Sequence, residues 1–197
     1  MEITLDPRRT AVLAMDCQSG IVSVYVKPES DFIARASKVL NAARSAGMTV
    51  IHVQVGFRPG LPEVSDRNKF FSTIKASKPH QEFFQGTSGA IHPELGPKAD
   101  DIVVVKHRIS AFAGTDLEMI LRAREIDTVV LSGISTSGVV LSTLLDACDA
   151  DYRVVVVDDC CADLDVELHS ALMTRLFPKR ADVVSAEDLM GALETLR

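Results

Sequence analysis

Residues 128–152 have the sequence TVVLSGISTSGVVLSTLLDACDADY, and the order of residue types along this stretch decides the fold. An apolar, β-branched run reaches Gly133, as in a buried strand, and a short turn of Ser, Thr and Gly residues follows it. A helix-length segment then begins near Gly138. The turn is therefore predicted to present backbone N–H groups at a helix N-terminus, where they can bind an anion or stabilise an oxyanion.

The same alternation of strand and helix continues on both sides of this stretch. Amphipathic spacing predicts helices at residues 31–46, with Asp31 as N-cap and Gly47 as stop, after Thr115, and at residues 186–196. Short apolar runs predict further strands at residues 10–16, 49–55, 101–106, 153–157 and 181–184. This order predicts an α/β fold with a parallel sheet covered by helices on both faces.

Composition narrows the class of protein. The chain has 197 residues, 47% hydrophobic and 24% charged, which predicts one domain over residues 1–197 with a sizeable core. A formal net charge of -6 and scattered basic residues argue against nucleic acid as a partner. No apolar run approaches the roughly 20 residues that span a bilayer, and the first residues lack the order of a signal peptide. We therefore expect a cytoplasmic protein with a small-molecule partner.

Cysteines and metal-ligand residues give no strong signal. Adjacent Cys160 and Cys161 could form a vicinal disulfide, but reduced thiols at a strand end are the expected state, and Cys17 and Cys148 have no zinc-type spacing. His80 and His92 each lack a second ligand at metal spacing. The acidic run of residues 158–165 suggests either a hard-cation site or a helix start at Asp163 or Asp165. No metal and no cofactor are expected.

Two predicted strands end in opposite charges, Asp16 and Lys106. The carboxyl ends of strands line the ligand crevice of an open parallel sheet, so both residues are candidates for chemistry, although each alone could be a cap. The Pro- and Gly-rich segment of residues 57–68 is predicted to be a loop at the same edge. Arg58 in this loop either clamps a substrate carboxylate or pairs with Glu63 or Asp66 on the surface.

Three motifs carry a family resemblance. They are the strand-end sequence Asp16-Cys17-Gln18, a K-x-x-x-S-A-F-x-G-T-x-L block that begins at Lys106, and a G-x-x-T turn that begins at Gly133. With them, nearly the whole chain resembles the isochorismatase-like cysteine hydrolase superfamily. The resemblance implies a three-layer α/β/α sandwich with a central, mostly parallel sheet, and a homo-oligomer.

The resemblance also implies roles for individual residues. Asp16 matches the family's general acid or base, and Lys106 matches the lysine that pairs with it. The Ile134–Ser135 peptide matches a cis bond of the family, in a turn that forms an oxyanion hole. Arg58 and Arg108 are available for substrate carboxylates, and Phe57 and Phe112 are either apolar walls or core. The expected substrate-binding set is Phe57, Arg58, Arg108, Phe112, Ile134, Ser135, Thr136, Ser137, Gly138 and Val139.

The departures from the family pattern restrict the chemistry. Val139 stands where the family's amidases carry the catalytic cysteine, and its isopropyl group cannot attack a carbonyl. Ser135, Ser137 and Ser142 have no histidine base close in sequence. Val55 and Phe57 stand where the nicotinamidase branch has metal ligands, so nicotinamidase activity is not expected.

Isochorismatases also lack the cysteine and hydrolyse a vinyl ether, for which an acid suffices. The leading hypothesis is therefore a hydrolase of a small carboxylate-bearing substrate that uses Asp16 and Lys106. The alternatives are a non-catalytic small-molecule binder and an amidase with another nucleophile.

Overall fold

A computed structural model describes residues 3–194 and contains a six-stranded sheet in the order β3-β2-β1-β4-β5-β6, with every neighbouring pair parallel. The strands are β1 (Thr10–Met15), β2 (Thr49–Val55), β3 (Ile102–Lys106), β4 (Thr128–Ile134), β5 (Arg153–Ala162) and β6 (Asp182–Val184). The helices are α1 (Ser19–Tyr25), α2 (Glu29–Ala46), α3 (Lys69–Lys75), α4 (Lys78–Phe83), α5 (Gly86–Gly89), α6 (Leu117–Ala123), α7 (Leu141–Asp149), α8 (Val166–Ala171) and α9 (Ala186–Glu194).

Helices cover both faces of the sheet because the central strands are buried on both sides. Along β1, Val12 and Ala14 belong to one hydrophobic cluster, which α2 and α9 complete. Leu13 and Met15 point the other way, into a second cluster with α6 and α7. The predicted three-layer α/β/α sandwich is therefore confirmed.

The register of the strands brings the predicted strand-end charges to one edge. Met15 pairs with Val53 of β2 and with Gly133 of β4, and Val55 pairs with Lys106. Gly133 has a φ of 145°, and a side chain there would collide with the carbonyl oxygen of Met15. Glycine thus allows β1 and β4 to approach closely where the turn begins.

Some boundaries differ from those predicted. Helix α2 begins at Glu29 after Pro28, so Asp31 lies in the first turn instead of capping the helix, while Gly47 ends it with a φ of 81° as expected. A proline before the helix has the extended backbone that an N-cap needs, which moves the start upstream. Strand β5 continues to Ala162, beyond the predicted end at residue 157, because Cys161 and Ala162 still pair with Gly133 and Ile134 of β4 after a shift in register.

The helix after β4 also begins earlier than predicted. A wide turn of π-helix, Thr136–Val140, precedes α7, so the helical path starts at Thr136 instead of near Gly138.

Asp116 occupies the N-cap position of α6, and the Thr115 hydroxyl accepts the N–H of Leu117 at 3.2 Å. The predicted C-terminal helix is observed to Glu194, and its last predicted residues lie outside the described part of the chain.

A small satellite cluster packs under the loop that follows β2. Leu61, Val64, Phe71 and Ile74 are buried together, although the segment has no regular periodicity in the sequence. The cluster holds the loop of residues 57–68 against α3 at the carboxyl edge of the sheet. Within residues 3–194, no helix is long and apolar enough to cross a membrane, and no group of three or more His, Cys, Asp or Glu residues has the arrangement of a metal site.

A buried histidine of β2 and an arginine of α2 share one carboxylate just before β3, away from the carboxyl edge of the sheet. His52 Nε2 lies 3.1 Å from Asp101 Oδ2, and Arg44 Nη2 lies 2.6 Å from the same oxygen. The His52 side chain is 1% exposed. Burial lowers the pKa of His52, and the hydrogen bond that Asp101 accepts from the ring only partly opposes this effect.

We expect the free energy of unfolding to fall as pH drops below about 6.5, because unfolded His52 then binds a proton that the folded state does not take up. The slope from this one group is at most about 1.4 kcal/mol per pH unit, and it ends at the lowered folded pKa. Urea denaturation of wild type and His52→Gln across this range measures the difference. His80→Gln, on an exposed helix, is the control and should keep the wild-type slope. An unchanged slope in His52→Gln would contradict the assignment.

Candidate active site

Asp16 and Lys106 form a buried ion pair at the carboxyl edge of the sheet. Asp16 Oδ2 lies 2.8 Å from Lys106 Nζ, and the two side chains are 9% and 3% exposed. Asp16 directly follows β1 with a φ of 54°, and its backbone N–H donates to Val53 at 2.7 Å. This left-handed backbone is costly for a non-glycine residue, and such strain concentrates at functional sites.

The two oxygens of Asp16 have different surroundings. Oδ2 accepts from Lys106, whereas Oδ1 is buried and accepts no hydrogen bond from any residue of the described chain. Burial raises the pKa of Asp16, and the neighbouring Lys106 ammonium opposes this rise without cancelling it. A carboxyl group with a raised pKa and one free oxygen is suited to hold a proton on that oxygen and to donate it.

Arg108 connects the pair to the loop after β2. Lys106 Nζ donates to the Arg108 carbonyl at 3.0 Å, and the Arg108 guanidinium donates to the carbonyls of His107 at 2.6 Å and Glu63 at 2.8 Å. The guanidinium also lies over the Phe71 ring, 6.0 Å from its centroid. Arg108 has no carboxylate partner within residues 3–194, so its positive charge is not neutralised by an ion pair.

Arg58 stands beside Glu63 and His107. Its Nη1 is 3.8 Å from Glu63 Oε1 and 3.4 Å from His107 Nε2, and its side chain is 64% exposed. His107 Nδ1 lies 2.6 Å from the Gly56 carbonyl, which can only accept, so Nδ1 carries the hydrogen and Nε2 can accept from Arg58 in the neutral ring. The structure thus realises the surface pairing with Glu63, and it leaves most of the Arg58 guanidinium open to solvent.

The turn after β4 is tied down by side chains from other segments. The Ile134–Ser135 peptide bond is cis. Asp163 Oδ2 accepts both the backbone N–H and the hydroxyl of Ser137, each at 2.7 Å, so a carboxylate of the chain already occupies this helix N-terminus. The N–H of Gly138 donates to the Ser135 carbonyl at 3.2 Å. Val139 is 2% exposed and packs in the second hydrophobic cluster.

The two phenylalanines that were expected as walls or core lie in different places. Phe57 packs edge-on against Phe71 and Phe84 in the satellite cluster, with centroids 5.8 and 5.6 Å away. Phe112 lies 6.0 Å from the ring of Tyr152, which precedes β5 at the opposite end of the sheet from Asp16. Phe112 is thus partly buried against the second hydrophobic cluster, whereas Phe57 lies in the loop that carries Arg58.

The cysteines do not supply a nucleophile. All four are free, and Cys17, Cys160 and Cys161 are buried. Burial raises the pKa of each of the four thiols, that of Cys160 to about 12. A protonated thiol is a poor nucleophile, so these side chains are suited to packing.

Several residues of this edge were missed by the sequence analysis. Gln18 bonds both the N–H and the carbonyl of Val55, at 2.9 and 3.0 Å, and so anchors the end of β2. Its place in the Asp-x-Gln motif was the available signal. His107 and His169 gave none, because their roles depend on contacts between segments far apart in sequence. His169 Nδ1 lies 2.8 Å from the Thr136 hydroxyl and thus reaches the turn from α8.

Comparison with known proteins places these residues in a family. The isochorismatase domain matches residues 10–188 of the chain. Maleamate amidohydrolase from Pseudomonas putida is 29% identical over 194 residues, which cover 96% of this chain and 89% of the relative. Ureidoacrylate amidohydrolase from Agrobacterium fabrum is 31% identical over 213 residues, covering 98% of this chain and 90% of the relative. An isochorismatase family protein from Burkholderia thailandensis has a similar solved structure, with a TM-score of 0.85, 34% identity, and coverage of 97% of this chain and 98% of that one.

Proposed function

Because this chain belongs to the isochorismatase family of hydrolases, we propose that it hydrolyses a small carboxylate-bearing substrate through Asp16 and Lys106, without a covalent intermediate. One observation carries this proposal: the buried Asp16 carboxyl group has one oxygen on Lys106 and the other without a donor. Such a group can exchange a proton with a bound substrate while Lys106 holds it in place.

The reaction that best suits this arrangement is hydrolysis of an enol ether. Asp16 Oδ1 delivers its proton to the terminal carbon of the double bond, which leaves an oxocarbenium ion on the ether carbon. Water adds to that carbon and gives up a proton to the Asp16 carboxylate, and the hemiketal then breaks into an alcohol and a ketone. No step needs a nucleophile at position 139, where Val139 has none.

The charges around the pair favour an anionic substrate. Around Lys106 and the loop after β2, three cations, Lys106, Arg58 and Arg108, meet two carboxylates, Asp16 and Glu63. Protonation of Asp16 leaves a single carboxylate against the three cations. In a chain with a formal net charge of -6, this local excess of positive charge attracts a carboxylate. The exposed Arg58 guanidinium is the group that we propose contacts it.

The names of two relatives agree with a carboxylate in the substrate. Maleamate and ureidoacrylate are both small carboxylic acids that also carry a hydrolysable nitrogen group. If this chain acts on such an amide, Val139 requires that water attacks the carbonyl directly, with Asp16 as the base. Both reactions therefore depend on Asp16 and produce no acyl-enzyme.

The test is a turnover screen with small acids that carry an enol ether, an ester or an amide, combined with mass spectrometry of rapidly quenched protein. We expect product formation that requires Asp16, with the protein mass unchanged at every time point. A covalent adduct that forms and decays at the turnover rate would overturn the nucleophile-free mechanism. Turnover that persists in a folded Asp16 variant would overturn the role of the pair.

A second candidate, a non-catalytic binder of small carboxylates, is favoured by Val139 and by the near-complete burial of Asp16 and Lys106. Thermal unfolding in the presence of the same acids separates the two candidates. A binder is stabilised by ligand and forms no product, whereas the hydrolase gives both results.

A further inference from the structure

A hydrogen-bonded chain of three side chains lies outside the Asp16–Lys106 pair. The Thr136 hydroxyl lies 2.8 Å from His169 Nδ1, and His169 Nε2 lies 3.2 Å from Asp158 Oδ1. Thr136 opens the helical path after β4, Asp158 belongs to β5, and His169 belongs to α8. The order of groups, hydroxyl then imidazole then carboxylate, is that of a serine hydrolase triad, with the two ring nitrogens exchanged.

The chemistry of the partners sets the direction of these hydrogen bonds. An ionised Asp158 carboxylate can only accept, so the neutral His169 ring carries its hydrogen on Nε2. Nδ1 is then an acceptor, and the Thr136 hydroxyl must donate to it. Thr136 is completely buried, so a substrate cannot reach its oxygen. The three hydrogen-bonded side chains therefore hold the turn and do not attack a scissile bond.

The exposed fraction of the three side chains decreases from Asp158 through His169 to Thr136. The Asp158 side chain is 48% exposed, that of His169 is 22% exposed, and Thr136 has no exposed surface. Asp158 and His169 also line a cavity of about 430 Å³ between α1, α2 and β5, together with Tyr25 and Arg35. The three residues therefore connect a cavity at the surface to the buried start of the turn.

His169 holds the side chain of the first residue of the helical path, Thr136. Within the described residues, His169 is the only side chain that hydrogen-bonds the Thr136 hydroxyl, and Asp163 holds the next residue, Ser137. The two contacts come from neighbouring segments that follow β5. Together they hold Thr136 and Ser137, the first two residues of the helical path after β4.

We propose that His169 is a positioning residue for the hydrolysis proposed above: Asp158 holds it in the Nε2–H form, and it orients Thr136 and with it the turn of residues 134–140. The inference rests on the proposed function for its kinetic consequence. The hydrogen-bond direction is a property of the resting protein and can be measured without a substrate.

The first test is ¹⁵N NMR of the histidine rings in the full-length protein. The spectrum of the wild type should show His169 with hydrogen on Nε2 and a bare Nδ1. Thr136→Val should shift the Nδ1 resonance, because it removes the hydroxyl donor, and leave the form of the ring unchanged. Asp158→Ala should reduce the preference for the Nε2–H form. A ring with hydrogen on Nδ1 in the wild type would overturn the inference.

The second test is kinetic and uses two substitutions of the same residue. His169→Phe keeps a flat ring without nitrogens and should lower kcat by about 10- to 100-fold. The strand that leads into the turn packs at Gly133 against Met15, the residue before Asp16, so a displaced turn also displaces the reacting carboxyl group. KM should change by less than about threefold, since binding of the substrate is not the affected step. His169→Asn places an acceptor near the position of Nδ1 and should restore part of kcat.

A control variant and the wild-type activity distinguish a wrong role for His169 from a wrong proposed function. His80→Phe, on the exposed helix α4, controls for the loss of a histidine and should leave kcat unchanged. A wild type without turnover in any screen defeats the proposed function, and the NMR result then decides the hydrogen-bond arrangement alone. If the wild type turns over and a folded His169→Phe has the same kcat, the positioning role is wrong.

Discussion

Replacement of Asp16 by Asn is expected to lower kcat/KM by about 10²- to 10⁴-fold, the range that proton transfer by a positioned side chain usually contributes. Asn has the shape of the carboxylate but cannot donate a proton from an acidic O–H or take one up. Its amide can still accept from Lys106 at the position of Oδ2, so the hydrogen bond between the two strand ends is retained. The loss should therefore fall on the reaction and less on binding.

Steady-state kinetics with the substrate from the screen, alongside circular dichroism and thermal unfolding, measure this effect. Asp165→Asn is the matched control, because Asp165 caps α8 at the surface and Asn caps a helix equally well. For the enol ether reaction, burial of Asp16 also predicts a wild-type rate that declines as pH rises through its raised pKa. A folded Asp16→Asn protein with the wild-type rate would remove Asp16 from the mechanism.

The fold and the Asp16–Lys106 ion pair were predictable because they depend on local patterns. Short β-branched runs between amphipathic helices determine a parallel sheet, and a parallel sheet brings the ends of its strands to one edge. Asp16 and Lys106 were identified in this way, and their distance of 2.8 Å agrees with the prediction. The strand was predicted to reach Gly133, and the structure adds that a side chain there would collide with the Met15 carbonyl of β1.

The partners of the turn were not predictable from local patterns. Asp163 was considered as a helix cap, yet its carboxylate holds Ser137 across 26 positions of sequence. His169 was not considered at all, since it lies 33 positions from Thr136. Such contacts depend on how the segment after β5 folds back over the turn, and periodicity carries no information about that path.

The predicted oxyanion hole is a second case in which a distant contact could not be predicted from local patterns. A Ser- and Gly-rich turn at a helix N-terminus does present N–H groups, but the chain supplies its own anion, Asp163, to the N–H of Ser137. At the position where the sequence predicts an anion site, the turn thus binds a carboxylate of the chain itself. For the same reason we assign the substrate carboxylate to the cations near Lys106 and not to this N–H group.

Replacement of Lys106 by Met should lower the free energy of unfolding by about 3–5 kcal/mol at neutral pH, because it leaves the buried Asp16 carboxyl group without its only ionic partner. Met fills nearly the volume of the lysine stem, so the loss reflects charge more than packing. In this variant Asp16 becomes neutral in the folded state. Its pKa then lies well above that of the unfolded chain, and the destabilisation should grow as pH rises between the two values.

The double variant Asp16→Asn/Lys106→Met tests whether the two charges act on each other. With both charges absent, neither an ammonium nor a carboxylate is buried alone, so the double variant should be more stable than the sum of the single effects predicts. We expect a coupling of about 2 kcal/mol in urea denaturation, near the upper end for residues in contact. Arg122 and Glu118, an exposed ion pair on α6 at 2.7 Å, provide the control cycle, for which the coupling should stay below about 0.5 kcal/mol. Additive losses at Asp16 and Lys106 would mean that the pair is held by the surrounding strands, and that Lys106 does not control the carboxyl group that we assign to catalysis.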